Sequence, residues 1–135
     1  MSPNLILPLL AVCLLLPTGC DNAESRKERL IREMIQGGLS VKEKVIQDSN
    51  GIMEDMKVYR DGEKDGVIFE HIYAAGVQVD QSFLSEQAVK GEMLTHLKRQ
   101  KDAVVVLNSG IYVRIIYRAS NGRVYADVAI SNEDL

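Results

Sequence analysis

Two histidines, two cysteines and a scatter of carboxylates are the side chains here with the chemistry for catalysis or metal binding. His71 lies in VIFEHIYA, alternating with Val67, Phe69 and Tyr73 on one strand face, and His96 falls on a separate predicted helix. No second His, Cys or grouped carboxylate stands near either at metal-ligand spacing, so His71 reads as a strand histidine, hydrogen-bonded or half-buried. The sequence holds no HExxH, no G-x-S-x-G, no G-x-x-x-x-G-K-[ST] and no G-x-G-x-x-G. The carboxylate pairs Glu54/Asp55, Asp61/Glu63 and Glu133/Asp134 sit in predicted loops or strand ends, where solvation accounts for them. The expectation is a non-enzyme with no catalytic residues, metal or cofactor. A periplasmic enzyme is the third reading.

The cysteines are more informative. Residues 14–24, LLLPTGCDNAE, end an apolar run at Gly19-Cys20 and then turn polar. No Asp, Glu, Lys, Arg or His occurs from Met1 to Gly19; all sixteen Lys/Arg and nineteen Asp/Glu follow Cys20. The apolar stretch Leu5–Leu16 is about a dozen residues, against the roughly twenty that a spanning helix needs. It matches the h-region of a secretory signal, with small residues at Thr18 and Gly19. A plain signal has no use for a cysteine at its end. The seam resembles the lipobox of bacterial lipoproteins, and that resemblance implies a thiolate at Cys20 that receives diacylglycerol. Cleavage before Cys20 and acylation of the new amine then follow. The expected organisation is a signal peptide over 1–19 and a tethered domain over 20–135. Acyl chains such as palmitate, at about 0.8 kcal/mol per buried methylene, anchor a protein without a spanning helix. Cys13 would be removed with the signal, so the mature domain would have no free thiol and no disulfide. Asp21, directly after the anchor, is a membrane-sorting residue in enterobacteria-like sorting and points to the inner membrane.

A net charge of −3 supplies no positive field for phosphates, and nucleic acid is excluded as a partner class. The remaining chain is long enough for one domain. Leu30, Ile31, Met34 and Ile35 predict a helix from about Ala23 to Gln36, stopped at Gly37-Gly38. Residues 40–48 are ambiguous, with a short helix from Ser40 preferred and a turn at Asn50-Gly51. Asp55–Arg60 and Val67–Ala74 around DGEKDG predict a hairpin. Helical spacing returns from Asp80 to about Gln100, capped by Ser82 or Ser85 and interrupted by Gly91, a gap that could admit a neighbouring side chain. Residues 102–109 leave helix and strand open, with a lean to a short helix. IYVRIIYR and RVYADVAI flank Asn121-Gly122, a type I′ turn signal. That turn would set Val113 opposite Ile130, Ile115 opposite Val128 and Tyr117 opposite Ala126, with Tyr125 on the other face. The fold class is therefore α+β: a small antiparallel sheet of two hairpins, four strands in all, with helices on one face.

Residues 82–130, SFLSEQAVKGEMLTHLKRQKDAVVVLNSGIYVRIIYRASNGRVYADVAI, resemble the pilotin lipoproteins of type II secretion systems, the GspS-beta or AspS class. The resemblance implies a short helix at 102–110, a secretin helix as partner and an outer-membrane destination. It also implies a hydrophobic groove between the 82–97 helix and the sheet. Phe83, Leu84, Leu94 and Leu97 on that helix, with Tyr112 and Tyr117 on the last hairpin, are the candidate partner-binding residues. The expected function is a membrane-anchored envelope lipoprotein, facing the periplasm, that binds an envelope protein of a secretion or conjugation system. The alternative, suggested by Asp21, is an inner-membrane exclusion- or immunity-type lipoprotein.

Overall fold

The computed structural model describes residues 23–135; Cys20, Asp21 and the 1–19 segment lie outside the described residues. Helix α1 runs Ala23–Asp48, 26 residues without a break. The expected stop at Gly37-Gly38 and the separate helix over 40–48 are thereby corrected. The apolar stripe stays in phase across the glycines, with Leu30, Ile31, Met34 and Val45 all buried in the core. Gly38 lies tight against the sheet. A Cβ there would meet the Val58 methyls at 2.8 and 3.0 Å and Phe69 Cε1 at 3.3 Å. Packing outweighs the helix-breaking tendency of glycine, and Ser40 donates its hydroxyl to the Gly37 carbonyl (2.7 Å) instead of capping a new helix. The helix ends almost three turns beyond Gly38, at Asp48, and the chain turns away through Asn50 and Gly51, both with positive φ (54° and 85°).

Strands β1 (Met53–Arg60) and β2 (Gly66–Tyr73) follow as an antiparallel hairpin. A 3-10 turn at Gln81–Phe83 leads to α2 (Glu86–Leu97), capped by Ser85, whose hydroxyl accepts from Ala88 N (3.1 Å). Next come α3 (Lys101–Asn108), β3 (Tyr112–Ala119), β4 (Val124–Ile130) and a closing 3-10 turn at Asn132–Asp134. Helix at 102–109 is the outcome expected there. The sheet order is β1-β2-β3-β4, and the α+β class of two hairpins stands. The sheet is mixed, however, because β2 and β3 pair in parallel, from Gly66↔Tyr112 to Tyr73↔Ala119. The physical reason is the crossover. The two helices between the hairpins carry the chain back to the end where β2 began, so β3 must run the same way.

The helices cover one face, as expected: α1 lies over β1 and β2, α2 over β4, and α3 against β3. The core between them includes Leu30, Met34, Met56, Phe69, Met93, Leu107, Ile115 and Ile130.

The last hairpin keeps the expected pairs Val113↔Ile130, Ile115↔Val128 and Tyr117↔Ala126 by a different route. Its turn has three loop residues: Gly122 N donates to Ala119 O, Ala119 N donates to Arg123 O, and Gly122 has φ 94°. The pairing Arg118↔Val124 leaves Tyr125 as an extra residue, and this bulge restores the register. It also swings Tyr125 to the core side, edge-on to Tyr73 at 5.9 Å, correcting its expected outward position.

Candidate functional site

Phe83 is the residue of the proposed binding set that reaches solvent most fully, 52% exposed at the end of the 3-10 turn. Asp80 caps that turn, accepting from Ser82 N at 3.0 Å. Leu94 is half-buried against the core. Leu84, Leu97 and Tyr117 are interior, at 3%, 2% and 4%. The spacing that marked the 82–97 helix is the stripe it turns to the sheet, so these three side chains stabilise the fold and are not free to line a groove. Tyr112 begins β3, with its ring lying across Gly66, where a Cβ would meet Cε1 at 2.7 Å. Its hydroxyl donates to the Asp61 carboxylate, and burial together with that contact pushes its pKa up to about 12. The six residues do not converge on one surface.

His71 is fully buried, opposite Tyr117 in the parallel register. Its ring stands 5.2 Å from that of Tyr117, which stacks on Tyr73 at 5.9 Å. The reading of a hydrogen-bonded or half-buried side chain is corrected, since neither Nδ1 nor Nε2 has a hydrogen-bond partner. Burial drives its pKa down to about 4, and the nearby backbone of Phe69 and Ile116 opposes this only in part. A neutral, sealed imidazole has no route to a substrate. Among the described residues no group of three or more His, Cys, Asp or Glu could hold a metal ion.

The uncovered face of the sheet carries an organised set of charges that motif reasoning passed over. Glu70, 6% exposed in the central strand β2, accepts from Tyr59 Oη at 2.8 Å and from Arg118 Nε at 2.6 Å. Burial pushes the Glu70 carboxyl up, but these two donors hold it below its ordinary value. Alongside, Arg114 grips Asp127 with two bonds of 2.7 and 2.6 Å, and its guanidinium lies 3.6 Å from Asp61. An open depression of about 670 Å³ lies on this face, lined by Lys57, Glu70, Ile72, Arg118 and the 119–122 turn, with Glu54 and Asp55 at the β1 start. Its mixed charge suits polar side chains of a partner more than an apolar helix. The signal was present in the strands, where polar residues take the positions that alternate with the core set.

A second polar group lies at the other end of the strands. Arg60 holds Glu28 with two bonds of 2.7 and 3.0 Å and reaches Asp65 at 3.2 Å, while Lys27 reaches Asp65 at 3.4 Å. These contacts fasten the first turns of α1 to the β1–β2 loop.

No family model and no curated protein matches this chain. Two solved pilotins are similar to it. The pilotin EpsS of the Vibrio vulnificus type 2 secretion system is 20% identical, over 82% of this chain and 96% of its own, with a TM-score of 0.44. The type II secretion pilotin AspS of Vibrio cholerae is 19% identical, over 84% of this chain and 100% of its own, with a TM-score of 0.42.

Proposed function

We propose that this protein is a bacterial envelope lipoprotein, anchored through acyl chains on Cys20, whose α+β domain captures an envelope protein as a pilotin-like accessory factor of a secretion system. The observation that carries the anchoring is the seam itself: an uncharged apolar leader ends at Gly19-Cys20, and every charged side chain of the sequence follows it. Among the described residues no helix is long and apolar enough to cross a membrane. The anchor confines the domain to a surface and raises its effective concentration near other membrane-bound components.

The capture role draws on the pilotin-like pattern of residues 82–130 and on Phe83, a large apolar side chain presented just ahead of α2. A secretin helix is the partner this reading names, with Phe83 and Leu94 as the accessible contacts. Copurification of the Cys20-anchored protein with a secretin from outer-membrane fractions is the expected result. Capture of inner-membrane partners alone would overturn the secretin assignment. It would favour the second reading, an exclusion- or immunity-type lipoprotein, which Asp21 supports.

A further inference from the structure

We infer that the end of the domain formed by the start of α1 and the β1–β2 loop lies against the lipid headgroups, and that the 119–122 turn and the neighbouring depression point away from the bilayer. The inference rests on the anchoring proposed above and adds an orientation to it. Two residues separate Cys20 from Ala23, and three steps of extended chain at no more than about 3.6 Å each keep the anchor within about 11 Å of the start of α1. A tether that short leaves the domain little choice of which end to present.

The first turn is not a loose arm. Lys27 binds Asp65, and Arg60 binds both Glu28 and Asp65, so α1 and the loop Asp61–Asp65 move as one block. Arg60 Nε also donates to the Lys64 carbonyl at 2.8 Å, fixing the loop from within. Among the described side chains of this block, the exposed ones, Glu24, Ser25, Glu63 and Lys64 among them, include none that is apolar. Such a surface rests in the headgroup layer without inserting. Its internal pairing also keeps desolvation of lone charges small.

The far end is fixed by the same geometry. α1 runs antiparallel to β1, since Glu28 pairs with Arg60 at the end of that strand and Lys42 pairs with Asp55 near its start at 2.8 Å. At about 1.5 Å per residue, the Lys42 turn stands ~28 Å along the helix from Ala23. The depression is lined at that end by Glu54, Asp55, Ile72 and the 119–122 turn.

The test uses the lipidated protein in phosphatidylethanolamine–phosphatidylglycerol vesicles doped with a nickel-chelating lipid. With Cys20 acylated, the mature chain offers no other thiol, so Lys64→Cys and Asn121→Cys each place a single spin label. Both positions are exposed, and labels there leave the core untouched. The expected result is relaxation by the headgroup nickel several-fold stronger at position 64 than at position 121. Equal or reversed relaxation in protein that mass spectrometry shows to be acylated would overturn the orientation alone. Protein found without acyl chains would overturn the anchoring and this inference with it.

Discussion

His71 carries a polar ring into the core with no partner for either nitrogen, and its titration should govern the acid stability of the domain. Its folded pKa of about 4 lies below the 6.5 of an unfolded histidine. The unfolded chain therefore binds the proton first, and the contribution of neutral His71 is complete above pH 6.5. It is lost as pH falls from 6.5 towards 4, with a total of about 3 kcal/mol at 1.36 kcal/mol per pKa unit. Denaturant melts between pH 4 and 7 should show this limb, and His71→Phe should flatten it. A wild-type stability that is level across that window would contradict the assignment. Phe83 behaves oppositely. Being half exposed, Phe83→Ser should change stability by no more than about 0.5 kcal/mol while weakening partner capture.

Among the helices and strands, two glycines of similar appearance in the sequence should respond with opposite signs. Gly91 lies within α2 with nothing within 4 Å of a would-be Cβ, so it is not a gap holding a neighbour's side chain. Gly91→Ala should stabilise by about 1 kcal/mol through helix propensity. Gly38→Ala should destabilise by about 1–3 kcal/mol, because the methyl would force α1 off Val58. Thermal melts of the two variants check both signs. The contrast shows where sequence reasoning succeeds. The two hairpins and the three inner pairs of the last one were legible because side-chain alternation is local, although the turn between β3 and β4 has three loop residues and a compensating bulge. The helix at 101–108 was ambiguous from local signals, and only the resemblance tipped it towards helix. The continuity of α1 was legible only in the phase of Leu30, Met34, Gly38, Val41 and Val45, a pattern outvoted by the glycine pair. The parallel join of β2 to β3 has no local signal, since it follows from where two helices return the chain. The charges around Glu70 were visible as outward strand positions, but their convergence required the register. Arg118→Ala should leave the Glu70 carboxylate with Tyr59 alone and cost about 1–3 kcal/mol, read in the same melts.

Taken together, the domain is a polar-skinned body with one apolar core, one covered sheet face and one charged open face. In the function proposed above, attachment to the membrane falls to acylation of Cys20. The interior placement of Leu84, Leu97 and Tyr117 narrows the expected contact surface to Phe83, Leu94 and whatever uses the open face. Intact-mass and peptide mass spectrometry of the protein purified from bacterial membranes is the direct test. The predicted product starts at residue 20, with diacylglycerol on the cysteine sulfur and an acyl chain on its amine. An unmodified Cys20, or a chain still bearing residues 1–19, would contradict it.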